Sequence, residues 1–327
     1  MRRYVPILIA FGVASAVATA PAALAQIYPS RPITIVAPFP AGGSIDTVAR
    51  VIGERMKVSL GQPVIVENVT GAGGSIGVGR VAHAVADGYT IGIGNLSTHI
   101  INGATCALDY DVVKDFEPVS LLTTEPMVMG ARKAMPGADL KELLAWLKAN
   151  PDKASAAVGG IGDITQIADT LFQRETGTRF QLVPYRGTVL ALNDVISGRV
   201  DLVFMQASSL LPQISAGNLK AYAVMAPKRL AAAPDIPTID EAGLPGFHVP
   251  YWFGLWAPKG TPASIVGKLN AAVVEALADE TVRGRLTELG REIVARDQQT
   301  PEALGALQRA EIAKWWPIIK AAGIKAE

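Results

Sequence analysis

The sequence predicts an α/β protein of two lobes, each a mainly parallel sheet flanked by helices. Three observations predict it. Short β-branched runs alternate with segments of helical apolar spacing, and glycine-rich turns join several of them. Once an N-terminal leader is set aside, 302 residues remain, enough for two hydrophobic cores rather than one. Two lobes imply a cleft.

The leader is read from Arg2 and Arg3, the apolar stretch Pro6 to Ala20 and the small-residue run Ala23-Leu24-Ala25. This is the pattern of a secretory signal cleaved after Ala25. A membrane anchor is the weaker alternative, because a bilayer span needs about 20 apolar residues and a cleavage site follows directly. Without Arg2 and Arg3 the chain carries 28 basic against 29 acidic residues, which gives no basic excess for a nucleic-acid partner. Cys106 is the only cysteine, so an oxidising compartment finds no internal disulfide to form.

Ile33 to Ala37 reads as a strand that stops at Pro38 and Pro40 and passes through Gly42-Gly43-Ser44 into a helix carrying Ile45, Val48, Ala49, Ile52 and Met56, ended by Gly61. The unit repeats. Val64 to Val66 is a strand, Gly71 to Gly74 a loop and Ser75 to Ala86 a helix, before a third strand from Tyr89 to Ile93. A second region opens near Glu125 with a strand at Met127 to Met129 and a helix from Leu140 to Ala149. Two more units follow: Ala154 to Val158 leading to a helix over Ile164 to Arg174, and Gln181 to Tyr185 leading to Thr188 to Ile196. Val200 to Met205 and Lys220 to Met225 read as buried strands around a helix near Leu210 to Ile214. After the proline-rich stretch from Pro234 to Pro250, Trp252 to Ala257 is a strand, and Pro262 to Ala278 and Ala303 to Ile319 are helices that return to the first lobe.

In such sheets ligands bind beyond the carboxyl ends of the strands. The loops Pro38 to Asp46 and Gly71 to Gly77 both lie there and both run into helix starts, whose free N–H groups and positive dipole ends attract an anion. Glycine lets a ligand approach those donors, although the same glycines also suit plain tight turns. A dinucleotide fold is the rival, since Gly71, Gly73 and Gly77 resemble a loosened GxGxxG. The spacing is off by one residue, and Gly94-Asn95-Leu96 stands where the ribose-binding acid belongs. His83, His99 and His248 fit no nucleophile motif or zinc spacing, so we expect neither an enzyme nor a metal or cofactor, and read each as a surface or hydrogen-bonded histidine.

Tyr28 to Arg50 (YPSRPITIVAPFPAGGSIDTVAR), Val64 to Gly77 (VIVENVTGAGGSIG), Asp87 to Thr90 (DGYT), Val183 to Gly187 (VPYRG), Pro234 to Gly243 (PDIPTIDEAG) and Trp256 to Pro262 (WAPKGTP) together carry a resemblance. In this order they resemble the extracytoplasmic substrate-binding receptors of tripartite tricarboxylate transporters, the TctC or Bug proteins, across essentially the whole mature chain. The resemblance implies a type 2 periplasmic binding-protein fold with crossovers near Glu125 and Tyr251. Residues 26–124 and 251–327 would then form the first lobe and 125–250 the second.

It also implies a ligand carboxylate held by Phe39, Ala41, Gly42, Gly43, Ser44 and Asp46 in one loop, and by Gly73, Gly74 and Ser75 in the other, with Ser97 beside them. Phe39 matches a family aromatic near the ligand, or is a core residue at a strand end. In the second lobe the implied set is Gly162, Asp163, Gln166, Gly187, Thr188 and Gln206. Here the sequence departs from the family, which usually has a small hydroxyl residue at Asp163 and a histidine at Gln166. Asp163 and Gln166 fit a variant capping box. If Asp163 also faces the cleft, its charge would repel the far end of a dicarboxylate and favour an amino-bearing or neutral-tailed acid. Arg186 could pair with a second carboxylate, but the family tolerates either base there, so the backbone at Gly187 and Thr188 is the expected contact. The expected function is a monomeric periplasmic receptor delivering a small carboxylate to membrane permease subunits. A sensor presenting the acid to a membrane kinase is the alternative.

Overall fold

A computed structural model describes residues 28–321 and 323–325. The expected leader, residues 1–25, lies outside the described residues. The first unit is strand β1 (Ile33–Ala37), helix α1 (Ser44–Leu60) and strand β2 (Val64–Asn68). Helix α2 (Ser75–Ala82), strand β3 (Thr90–Asn95) and the short helix α3 (Asn102–Thr105) follow. Burial of Ile33 and Ile35 on β1, and of Val48, Ala49, Ile52 and Met56 on α1, is the helix-on-sheet packing that the apolar spacing predicts. Gly61 ends α1 at φ 65°, a left-handed cap that glycine adopts without steric cost. Helix α2 stops four residues short of the expected Ala86, where a tight turn bonds the Asp87 amide to Val85.

Strand β4 (Phe116–Arg132) is 17 residues long and passes into the second region. There follow α4 (Leu140–Ala149), β5 (Ser155–Val158), α5 (Ile164–Thr176), β6 (Gln181–Pro184), α6 (Thr188–Ile196), β7 (Leu202–Gln206), α7 (Ala207–Ser215) and β8 (Leu219–Val224). The chain closes with β9 (Pro250–Pro258), α8 (Ala263–Ala278), α9 (Glu280–Glu288), β10 (Glu292–Ile293) and α10 (Pro301–Ala321).

The strand order is β2-β1-β3-β9-β4-β7-β5-β6, with β8 and β10 also pairing β4. The expected parallel ladders are the outer ones: β1 with β2 and β3, and β5 with β6 and β7. The middle is antiparallel, because β9 runs against both β3 and β4, and β4 runs against β7 and β8. Strand β4 pairs β9 as far as Pro126↔Pro250, then changes partners at Met127, which faces Gln206 of β7. A proline cannot donate to a ladder, so Pro126 suits the point of exchange.

The sequence reading found only Met127 to Met129 of β4. Pro118, Glu125 and Pro126 break the alternation, and the register slips between Pro118 and Ser120 and again between Leu121 and Thr123. Helix α9 was also missed, since it buries only Val282 and Leu286 and shows little periodicity. Among the described residues no helix is long and apolar enough to cross a membrane.

Candidate functional site

Four helices begin around one region, and their first turns are treated in two ways. A helix start leaves its first amides without internal partners, so something else must satisfy them. Helix α1 starts after Gly43, and α6 after Gly187 at φ 118°, and neither has a side-chain cap. The two starts abut: a Cβ on Gly187 would lie 3.5 Å from the Pro40 ring, and one on Gly43 would lie 4.0 Å from Thr188 Oγ1.

Helices α5 and α7 instead begin against carboxylates of the chain. Asp163 Oδ1 accepts from the amides of Thr165 at 2.9 Å and Gln166 at 3.1 Å, and also from the Thr165 hydroxyl. Glu125 Oε2 accepts from the Ser208 amide at 3.0 Å.

Between these starts lies a cavity of about 250 Å³. Its walls include Phe39, Pro40, Ala41, Gly43, Ser44 and Ile45 from the first loop, and Asn95 and Ser97 beyond β3. From the second region come Gly159, Asp163, Arg186, Gly187, Thr188, Val189, Leu190 and Gln206, and Tyr251 completes the wall. Asn95 Nδ2 donates to the Tyr251 hydroxyl at 2.6 Å, and Asn95 Oδ1 accepts from the Thr98 amide at 3.0 Å, which fixes the turn carrying Ser97. Ser97 Oγ in turn accepts from the Ile164 amide at 3.4 Å.

Of the residues expected at the site, Phe39, Ala41, Gly43, Ser44, Ser97, Asp163, Gly187, Thr188 and Gln206 line the cavity. The others sit behind it. Gly42 donates its amide to Asp46, whose carboxylate also takes Arg50 Nε and Asn68 Nδ2, each bond 2.9 to 3.0 Å long. Burial pushes the Asp46 carboxyl up, but Arg50, the Gly42 amide and Asn68 outweigh it and hold the group below the usual range. Asn68 Nδ2 also donates to the Phe39 carbonyl at 2.9 Å, so this cluster shapes the loop from outside.

The second glycine loop does not reach the wall; it packs against the back of the first. A Cβ on Gly74 would lie 3.2 Å from Phe39 Cζ and 3.3 Å from Pro38 Cβ, and the Gly73 carbonyl accepts from Asn102 Nδ2 at 3.0 Å. Ser75 opens α2 with its amide on the Ala72 carbonyl. The partner of the α1 start is therefore α6, from the other region, rather than α2. Glycine at position 74 serves close packing there.

Gly162 and Gln166 also lie behind the wall. Gln166 Oε1 accepts from the Gly162 amide rather than from Asp163, so the capping box reaches one residue further back than its usual form. Asp163 both caps α5 and faces the cavity. Burial pushes its carboxyl up to about 6, against the lowering effect of the Thr165 hydroxyl and the capped amides. Deeper in α5, Asp169 is fully buried with both oxygens unpartnered. Burial, with the nearby Asp163 charge, holds its carboxyl well above the usual range.

Sequence reasoning missed the support behind Ser44. Its hydroxyl donates to Glu125 Oε1 at 2.8 Å, while Arg291 Nη2 donates to the Ser44 carbonyl at 2.9 Å, to its hydroxyl at 2.8 Å and to Ser208 Oγ at 3.1 Å. Arg291 lies 3.4 Å from Glu125, both side chains wholly buried, with its guanidinium over the Phe253 ring. Nothing near Arg291 in the sequence marks it, because its side-chain hydrogen bonds go to residues 83 and 247 positions away. His99 is a core residue stacked 3.7 Å from Trp256, and burial pushes its imidazole down to about 3. Its Nδ1 lies 3.0 Å from the Thr98 hydroxyl.

A two-part α/β fold with a partly open cavity flanked by uncapped helix starts from both parts is that of a solute-binding protein. The family model for the tripartite tricarboxylate transporter family receptor matches residues 48–324, and the chain belongs to that family. A UPF0065 protein from the TAR-I ttuE-ttuC' intergenic region of Agrobacterium vitis is 40% identical over 296 residues, 90% of this chain and 86% of that protein. Among solved structures, periplasmic binding protein BugD superposes with a TM-score of 0.86 at 39% identity, covering 92% of this chain and all of that one. MatC from Rhodopseudomonas palustris with bound malate superposes with a TM-score of 0.85 at 42% identity, covering 89% of this chain and all of that one. The family and these two solved structures are of substrate-binding proteins rather than enzymes.

Proposed function

We propose that this protein is a monomeric periplasmic receptor that captures a small organic carboxylate and hands it to the membrane subunits of a tripartite tricarboxylate-type transporter. The observation that carries the reading is the pair of uncapped helix starts, α1 and α6, facing one cavity from the two halves of the chain. Their amides and dipoles offer a carboxylate neutral donors, so emptying the site strands no buried cation. Family membership and the malate-bound relative point the same way. In this reading residues 26–124 and 251–327 form one lobe and 125–250 the other, hinged where β4 changes partners, and residues 1–25 direct export. A ligand touching both lobes stabilises the closed form by its differential affinity. A thermal-shift screen of organic acids, with small-angle scattering on each hit, tests this: the acids that raise Tm should also compact the protein. Hits without compaction would count against closure, and no hit among carboxylates would overturn the function.

A further inference from the structure

Which acids the cavity takes is a further question, and its answer rests on the receptor reading. We infer that Asp163 sets the ligand class: the cavity takes an acid whose carboxylate lies at the α1 and α6 starts and which presents a hydrogen-bond donor, an ammonium or hydroxyl, to Asp163, and it discriminates against plain dicarboxylates.

The two oxygens of Asp163 have different surroundings. Oδ1 holds the α5 amides and the Thr165 hydroxyl, so the positive end of that helix is already neutralised by the protein. Oδ2 lies 3.0 Å from the position of a Cβ on Gly159, itself a wall residue. Thr188 Cγ2 lies 3.2 Å from that same position, so Asp163 Oδ2 and the first residue of α6 are close neighbours across the wall.

Asp163 is only 7% exposed, so little water screens its charge, and a second ligand carboxylate placed against it would face a like charge in a low dielectric. Arg186 is the one cationic side chain among the described wall residues, and it is exposed. Gln206, 2% exposed in the same wall, also has its Oε1 without a donor.

The geometry also gives a pH signature. The groups around Asp163 are the Tyr251 hydroxyl, Arg186, Asp169 on its own helix, and Glu125 with Arg291 beyond Tyr251. Burial pushes the Asp163 carboxyl up to about 6, and burial holds the neighbouring Asp169 carboxyl well above the usual range as well. An ammonium-bearing acid needs the ionised form and binds more weakly as pH falls below about 6. A dicarboxylate needs the protonated form, which donates, and binds more tightly as pH falls toward about 6.

Calorimetry at pH 5 and pH 8 with butyrate, 4-hydroxybutyrate, 4-aminobutyrate, 2-aminobutyrate, succinate and glutarate tests this on the wild type, Asp163→Ser and Asp163→Asn. Serine still caps α5, so that variant keeps the helix start. At pH 8 an amino or hydroxy acid should bind the wild type about tenfold more tightly than either dicarboxylate, the scale of one charge-assisted hydrogen bond. Asp163→Ser should erase that preference and the opposed pH trends. A dicarboxylate that binds tightest at pH 8, or a ranking unchanged in Asp163→Ser, overturns the assignment while leaving the receptor intact. Wild-type protein that binds no acid in the panel overturns this assignment, and the receptor reading falls with it only if the wider thermal-shift screen of carboxylates is also empty.

Discussion

Helices α1 and α6 begin bare, whereas α5 and α7 begin against Asp163 and Glu125. All four starts offer the same kind of free amides, so the difference lies in who supplies the anion. Where the protein supplies it, the start is sealed and structural. Where it does not, the start is available to a solute.

The largest test of this contrast is Glu125→Ala, which uncaps α7 and leaves Arg291 buried without its counter-charge. Breaking a buried pair this way should cost about 3–5 kcal/mol, read as a lower midpoint in urea unfolding. A loss near zero would mean the α7 start is satisfied by other means. The reverse experiment seals α1. Gly43 has φ −79° and ψ 174°, open to any residue, and a Cβ there would lie 3.3 Å from the Pro40 carbonyl oxygen, a contact that a small shift relieves. Gly43→Asp should weaken binding of any acid found in the screen by about a hundredfold, because the new carboxylate occupies the amides, with no loss of stability. Unchanged affinity would place the acid elsewhere.

Asp169 tests the interior of α5. In the unfolded chain it loses its proton near pH 4, but the folded state holds the proton well above that. The folded state therefore binds more protons, so stability falls as pH rises from about 4 until Asp169 ionises, and Asp163 adds to the fall up to about 6. Asp169→Asn should flatten this decline and raise stability at pH 8 by roughly 1–3 kcal/mol. A variant with the wild-type pH profile would show that Asp169 finds a partner. The smallest effect is expected at exposed Arg186, where Arg186→Ala should change stability by less than about 0.5 kcal/mol and affinity by less than about threefold. A larger loss of affinity would move the anchor from backbone to guanidinium.

Local signals carried far in this sequence. β-branched runs gave β1 and β2, and apolar spacing gave α1, α4 and α6, because each buries one face against its neighbour. Ala41, Gly43 and Ser44 lie in a loop marked by its strand-end position and glycines, whereas Phe39, Gly187 and Thr188 were singled out by the family resemblance; all six line the cavity. Gly73, Gly74 and Ser75 carried the same local signal and lie behind Phe39 instead. Sequence periodicity does not say which of two equivalent loops faces inward.

The sequence by itself determined the strand–turn–helix units and where helix starts are exposed, since both follow from neighbours a few residues apart. Only the tertiary structure decided that α1 faces α6, that Glu125 meets Arg291, and that Asp163 turns one oxygen to its helix and the other to the cavity. Those pairings are made by β4 and β9, whose antiparallel course brings distant segments together, and long-range register leaves no periodic trace in the chain.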